Sequence, residues 1–276
     1  MNNVSKIWSI HEGSFERRKV VALASICAVA SLLFVPLTSA GANTTATAIA
    51  PVPNIPCCGG GGPSWGVDAV TIMNSTFLGT IKSNVGSPPI VGQYLDSGSG
   101  QLLTSSDATY LHGQGVAIVL IFSPKNGNLS GTTTASTEAA TAVTEAKAVG
   151  ANPNNGIAIY RDVEQGYTIN SAYINQWNSS LSAAGYTTGF YENSYSGQFE
   201  AAFCGASSST ISNSYLYSSE LHSGSSYLQS AAPTTYNPYY VSCESGAQMS
   251  GWQYLTGDSL PGGAIDVDEY AQVGLF

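Results

Sequence analysis

Charged residues are scarce in this chain. They make up 9% of its 276 residues, whereas globular domains ordinarily carry about 25%. The 8 basic residues are outnumbered by 17 acidic ones, and several of the basic ones lie before residue 20. Because nucleic-acid binding needs a basic surface that neutralises phosphates, this composition argues against a nucleic-acid partner. A polar, acidic and weakly charged surface fits an extracellular protein, and we hypothesise one that works at low pH.

The chain also lacks the motifs that bind nucleotides or metals. No Gly-rich phosphate-binding motif follows a predicted strand, which argues against a nucleotide-binding fold. The three histidines form no ligand motif and the cysteines form no Cys-x-x-Cys pair. A metal site is therefore the less favoured use of these residues. We predict a protein without a metal or another cofactor.

One long apolar run lies near the N-terminus, and no later segment is long and apolar enough to span a membrane. Basic residues at 17–19 precede this run, Val20 to Leu37, and small residues follow it at 38–42. This order is typical of a signal peptide, and Pro36 also favours cleavage, so we predict that residues 1–42 are removed on export. The alternative is an uncleaved membrane anchor. After cleavage we expect a secreted protein, in solution or associated with the cell wall, without stable membrane insertion.

Residues 43–63 are rich in Thr, Ala, Pro and Gly. Such a composition buries no core and is typical of a linker. We therefore predict that the folded domain occupies residues 64–276.

Four cysteines remain after the predicted cleavage, which fits an oxidising compartment. They are Cys57, Cys58, Cys204 and Cys243. Four cysteines allow three pairings, and the sequence does not choose among them. We prefer a disulfide between Cys204 and Cys243, because both lie near predicted loops of the folded part. The adjacent pair would then bond within itself or to another chain.

Short apolar segments alternate with helical ones after residue 63. Gly115–Phe122 is a continuous apolar run, typical of a strand that is buried on both faces of a parallel sheet. Helices are predicted over Thr133–Val149 and Asn170–Ala184. This alternation indicates an α/β fold, and about eight candidate strands fit a closed (β/α) barrel of the TIM type. The last third has few helices, so we predict a modified barrel in which some crossovers are loops.

Acidic residues recur in predicted strands and at their ends. Asp162 and Glu164 end a middle strand, and Asp266 and Asp268 end the last one, in each case two residues apart and so on one face. Asp68 lies in the first strand, which neighbours the last strand in a closed barrel. We expect these acids at one mouth of the barrel, where barrel enzymes place acid/base chemistry.

Aromatic and amide side chains accompany these acids at Tyr94, Tyr191, Trp252 and Gln253. Sugar sites place aromatic rings against the apolar face of a pyranose and use a few polar groups for its hydroxyls. The combined set predicts an acidic, aromatic cup whose partner is a polysaccharide. Taken singly, each residue has a plainer explanation, since a lone Trp is more often core and acid pairs are often solvated.

Five short motifs follow one another along the chain: Gly66-Val67-Asp68, Asp162-Val163-Glu164, Gly189-Phe190-Tyr191, Trp252-Gln253-Tyr254 and Ile265-Asp266-Val267-Asp268. In this order they resemble the family 25 glycoside hydrolases, which are secreted lysozymes (muramidases). They also resemble the related glycoside-hydrolase-like domain of unknown function found in exported bacterial proteins. For that group the segment Gly92-Gln93-Tyr94-Leu95 is the closer match.

The resemblance implies a modified eight-stranded barrel that hydrolyses a β-1,4 bond in an aminosugar polymer such as peptidoglycan. It further implies that Glu164 is the general acid, that Asp162 assists the reacting sugar, and that Asp68 and Asp266 line the same cup. Asp268 departs from the pattern, because the lysozyme family tends to have Asn there. Arg161, directly before the Asp-x-Glu motif, is also unusual.

Three functions stay open on the sequence alone. The first is a secreted glycosidase that acts on a cell-wall or other polysaccharide. The second is a non-catalytic carbohydrate-binding or surface protein that kept the barrel. The third is a structural wall or coat protein, suggested by the Ser/Thr/Tyr-rich composition and by Cys57 and Cys58.

Overall fold

The computed structural model describes residues 63–96, 98, 102–153, 156–193, 198–222, 225–243, 249–271 and 273–276. The predicted signal peptide, nearly all of the predicted linker, and Cys57 and Cys58 lie outside these residues. In the part that is described, helices are too short or too polar to cross a bilayer.

The secondary structure begins as a regular alternation of strand and helix and ends in a hairpin. In chain order the elements are β1 (Ser64–Ala69), α1 (Ser75–Asn84), β2 (Ile90–Asp96), α2 (Ser105–Gly113), β3 (Ala117–Phe122), β4 (Asn128–Leu129), α3 (Thr132–Ala148), β5 (Ala158–Val163), β6 (Thr168–Ile169), α4 (Ser171–Ala183), β7 (Thr187–Asn193), α5 (Gln198–Cys204), α6 (Ser208–Ser212), β8 (Ser214–Ser219), β9 (Met249–Leu260) and β10 (Gly263–Tyr270).

Eight of these strands close into a barrel in the order β1-β10-β9-β8-β7-β5-β3-β2. The predicted modified (β/α) barrel is thus confirmed, including the adjacency of its first and last strands. The two remaining strands, β4 and β6, pair with each other and tie the loop after β3 to the loop after β5.

The last strand departs from the parallel arrangement of a TIM-type barrel. β10 runs antiparallel to both β9 and β1, because a tight turn after Leu260 returns the chain directly and no crossover helix is needed. In this direction Asp266 pairs with Asp68, and Asp268 lies two residues deeper, opposite Gly66. The two acids therefore lie one below the other inside the barrel.

The helices pack their apolar faces on the outside of the barrel. In α4 the side chains of Tyr173, Ile174, Trp177 and Leu181 are fully buried, as their spacing predicts. This helix begins at a cap in which Asn170 accepts a hydrogen bond from the backbone N–H of Tyr173. α2 begins with a reciprocal capping box between Thr104 and Asp107.

A cluster of buried residues fills the barrel interior, separate from the core between the helices and the outside of the barrel. Several of its members are tyrosines. Side chains alternate along each strand, so that Tyr160, Tyr217 and Tyr270 project inward among small aliphatic residues. Glycine makes room for these rings: a Cβ on Gly189 would lie 2.5 Å from the Tyr160 ring, and one on Gly251 would lie 2.8 Å from the Tyr217 ring.

The two ends of the barrel differ. At the end where β3 and β5 begin, the Ile118 N–H donates to the Phe276 carbonyl at 2.7 Å, and the Ala158 N–H donates to the Gly274 carbonyl at 3.0 Å. Leu275 packs against the interior cluster at this end. The C-terminal residues therefore cover it, and the acidic side chains lie toward the opposite mouth.

A disulfide fixes the long connection between β8 and β9. Cys204, at the end of α5, bonds to Cys243 with an S–S distance of 1.96 Å and a Cα–Cα distance of 5.5 Å. This is the pairing that we prefer from the sequence.

Candidate functional site

The mouth at the carboxyl ends of the parallel strands gathers most of the predicted site residues into one cup. The members that face the interior are Asp68, Tyr94, Asp162, Tyr191, Gln253, Asp266 and Asp268. Glu164 follows directly after β5 and is exposed at the rim. The strands that contribute these side chains surround the barrel axis, so that the cup is a property of the closed fold rather than of one loop.

Gln253 lies at the centre of the hydrogen-bond network of the cup, and its side chain is fully buried. Its Nε2 donates to Asp68 Oδ2 at 2.8 Å and to Asp266 Oδ2 at 3.1 Å. Its Oε1 accepts from the Tyr191 hydroxyl at 2.8 Å and from Ser219 Oγ at 2.7 Å. Since donors and acceptors occupy both ends of the amide, its orientation is fixed. Gln253 thereby joins side chains from four other strands.

Asp162 and Glu164 form the acid pair that the sequence predicts. Asp162 is buried, and burial, followed by the charge of Glu164, raises its pKa to about 7, against the lowering effect of a hydrogen bond with Ser123. Partial desolvation raises the pKa of Glu164 as well. The charge of Glu164 also contributes to a raised pKa of the half-buried Asp266, behind burial as the main cause. Glu164 therefore lies close enough to interact with acids on both sides of the mouth.

Two tyrosines that the sequence analysis missed lie below this pair. The Tyr217 hydroxyl contacts both Asp68 and Asp268, and the Tyr270 hydroxyl donates to Asp268. Burial raises the pKa of both Asp268 and Asp68, and with the neighbouring charge of Asp268 it holds that of Asp68 well above its ordinary value. The signal was available, because Tyr270 follows Asp268 by two residues and so shares its face.

Trp252 does not belong to the cup. It adjoins Gln253 in β9, and neighbouring side chains point to opposite faces of a strand. Trp252 is buried on the outside of the barrel, where its indole N–H donates to the Glu220 carbonyl at 3.1 Å and its ring packs edge-on against His222 and Tyr236. It lines an outer cavity of about 440 Å³. The predicted substrate contact at Trp252 is thus corrected to a core position.

A buried ion pair supports the strand that carries the acid pair. Arg161, which is fully buried on the outer face of β5, donates through Nε to Glu138 Oε2 at 2.9 Å and to the Tyr173 hydroxyl at 3.2 Å. Its other nitrogens donate to the backbone carbonyls of Asn126 and Asp162. This network connects α3, α4 and the loop after β3 to the end of β5, and so fixes the backbone of Asp162.

Replacing Arg161 with Met is expected to lower the free energy of unfolding by about 3–5 kcal/mol, because it leaves the Glu138 carboxylate buried without its cation. Urea denaturation monitored by fluorescence measures this loss. The control is the double variant Arg161→Met with Glu138→Met, which removes both charges and should recover much of the stability. A loss below about 1 kcal/mol in the single variant would contradict a buried, structurally important pair.

The arrangement suits acid/base chemistry on a neutral or weakly charged polar ligand. It offers carboxyl groups with raised pKa values beside each other, which is how one group is kept protonated while another is charged. Among the described residues, His, Cys, Asp and Glu do not cluster in a metal-binding arrangement.

Comparison with known proteins assigns the family. Residues 89–269 match the model of a family described as Rv2525c-like, glycoside hydrolase-like domain. Sequence comparison with curated proteins finds no match.

Solved structures share the barrel. An uncharacterized protein from B. stearothermophilus matches with a TM-score of 0.68 and 22% identity over 77% of this chain and 100% of its own. The Tat-secreted protein Rv2525c from Mycobacterium tuberculosis, in complex with L-tartrate, matches with a TM-score of 0.51 and 17% identity over 77% of this chain and 98% of its own. The modular autolysin LytC from Streptococcus pneumoniae matches with a TM-score of 0.50 and 17% identity over 75% of this chain and 46% of its own. At these identities the likeness shows the fold alone.

Proposed function

Because the chain belongs to the Rv2525c-like, glycoside hydrolase-like domain family, we propose that it is a secreted glycoside hydrolase that cleaves a β-1,4 bond in peptidoglycan or a related polysaccharide. The observation that carries this proposal is the acid pair at the mouth. Asp162 is buried with a pKa of about 7, and Glu164 stands beside it at the rim.

The proposed reaction uses both members of the pair. Glu164, which reaches into solvent, donates a proton to the glycosidic oxygen as the bond between that oxygen and the anomeric carbon breaks. Asp162 lies on the same side and assists the sugar as positive charge develops at the anomeric carbon. Asp266 and Tyr94 line the cup beside the pair and are proposed contacts for the sugar hydroxyls and the sugar ring. Water completes the hydrolysis.

The substrate class and the location rest on relatives and on composition. A solved structure with the same fold is a bacterial autolysin, and another is a Tat-secreted protein. The acidic, weakly charged composition and the predicted signal peptide at residues 1–42 agree with export. These points support a substrate outside the cell, and peptidoglycan is the candidate.

The test is turnover by the purified protein on insoluble peptidoglycan between pH 4 and 8. We expect soluble fragments that carry new reducing aminosugar ends, detected by a reducing-end assay and by mass spectrometry. Heat-denatured protein is the control. Binding to the polymer without any release across this pH range would contradict the enzymatic proposal.

A non-catalytic carbohydrate-binding protein is the second candidate. It is favoured because Gln253 is hydrogen-bonded to Asp68 and to Tyr191 inside the cup. Glu164 is then the acid that is exposed at the rim. In this case the same experiment would show saturable binding and no products.

A further inference from the structure

The deepest polar groups of the cup are two carboxyls that lie beside each other. Asp68 and Asp268 are 1% and 0% exposed, and the Tyr217 hydroxyl lies within hydrogen-bond distance of both. Among the described residues, the salt bridge that is found joins Arg161 and Glu138. Within that part of the chain, Asp68 and Asp268 are therefore not paired with a basic side chain. Two adjacent anions at this depth carry a large desolvation and repulsion cost. One proton held between them removes most of it.

The surrounding hydroxyls indicate which carboxyl holds the proton. The Tyr217 hydroxyl lies 2.5 Å from Asp268 Oδ1 but 3.1 Å from Asp68 Oδ2, and a phenol has one proton to donate. Tyr270 donates to Asp268 Oδ2 at 3.0 Å. Asp268 therefore accepts from two phenols, whereas Asp68 accepts from the uncharged amide of Gln253. Hydrogen bonds to the charged form favour that form, so the charge belongs on Asp268 and the proton on Asp68.

We propose that Asp268 is a positioning residue, which carries the single negative charge of this pair and keeps Asp68 as a neutral carboxylic acid that donates to it. Asp68 then adds no charge to the cup, and a glycan in the mouth meets the charges of the acids above the pair. This inference rests on the proposed function for its biological meaning, since it concerns the charge that the same site presents to a glycan. It does not need turnover for its test.

Other titratable groups face the pair from every side. They are Tyr94 on β2, Tyr191 on β7, Tyr217 on β8, and Asp266 and Tyr270 on β10. Burial raises the pKa of each of these tyrosines, so they stay neutral, and Asp266 is the nearest further acid. Its charge repels the pair and adds to the need for a shared proton.

The test is an NMR titration of the whole protein labelled with ¹³C at the aspartate carboxyls. The Asp68 signal is assigned in the unsubstituted protein by through-bond correlation with its own backbone and is checked by its loss in Asp68→Asn, and it should report a protonated carboxyl at pH 6. In Asp268→Asn the like charge is gone and the neutral amide oxygen is a weaker acceptor than the carboxylate, so the proton dissociation constant of Asp68 should rise at least tenfold. The control Asp258→Asn removes a carboxylate from β9 and should leave the Asp68 signal unchanged.

The outcomes separate positioning from a merely structural role. Asp68→Asn replaces one neutral hydrogen-bond donor with another, so it should change the proton dissociation constant of Asp268 far less than Asp268→Asn changes that of Asp68. An ionised Asp68 at pH 6 in the unsubstituted protein would overturn the proposal, even where the variants fail to fold. An Asp68 signal unaffected by Asp268→Asn would do so as well. Absence of peptidoglycan turnover bears on the proposed function and leaves this titration intact.

Discussion

Replacing Glu164 with glutamine is expected to reduce the rate of peptidoglycan hydrolysis by about 10²–10⁴-fold, the range that a positioned general acid contributes. Glutamine keeps the size and the hydrogen-bonding reach of the side chain but cannot donate the proton that the leaving oxygen needs. Because Glu164 lies at the rim and outside the hydrogen-bond network of Gln253, folding and glycan affinity should change little. Release of reducing ends measures the rate, and co-sedimentation with the polymer measures binding.

The matched control for this experiment is Glu192→Gln. Glu192 lies in β7, beside the strand that carries the acid pair, but it points away from the barrel interior and is 1% exposed. Burial raises its pKa to about 8, so below this pH it is a neutral acid that glutamine imitates. Hydrolysis should survive this change. Full activity in Glu164→Gln, or equal losses in both variants, would remove Glu164 from the proposed role of acid.

Stability is expected to rise as the pH falls from about 8 to about 4, by on the order of 5 kcal/mol in the free energy of unfolding. Burial raises the pKa of Asp162 to about 7 and that of Glu192 to about 8, and it holds the pKa of Asp68 well above its ordinary value. In the unfolded chain these groups ionise near pH 4. Between these limits the native state holds more protons than the unfolded state. Their contribution is therefore complete below about pH 4 and is lost as the pH rises through 7 to 8.

Urea denaturation at one-unit pH intervals measures this dependence. The slope should flatten in Glu192→Gln, because glutamine no longer loses a proton on unfolding. A stability maximum at neutral pH, with a loss on the acidic side, would contradict the prediction. The expected direction agrees with the low-pH working range that we hypothesise from the acidic composition.

The sequence predicts the barrel and most of the cup because both depend on a simple period. Apolar runs such as that ending at Phe122 mark the strands, and the spacing of Asp162 from Glu164 and of Asp266 from Asp268 sets which acids share a face. The same period, applied consistently, excludes Trp252 from a face that holds Gln253.

Other features depend on contacts between distant segments. The pairing of Arg161 with Glu138 and Tyr173 requires α3 and α4 to be placed side by side on the barrel, and no local pattern in the sequence encodes that placement. The reversed direction of β10 is a different case. The segment Leu260-Pro261-Gly262-Gly263 is a turn signal between two strand-like runs, and giving it more weight predicts a hairpin.

Because β9 and β10 form one hairpin, the polar side chains that they contribute to the cup all depend on the same strand register. Gln253, Asp266 and Asp268 belong to one continuous segment, and a slip of one residue in its pairing would turn the side chains of the slipped strand to the outer face. Two irregularities in the register, between Ile265 and Asp268, lock that alignment. A single insertion or deletion in this segment would therefore erase several polar groups at once. Mutational tolerance mapped along residues 249–270 should show length to be constrained more tightly than the identity of the outward-facing residues.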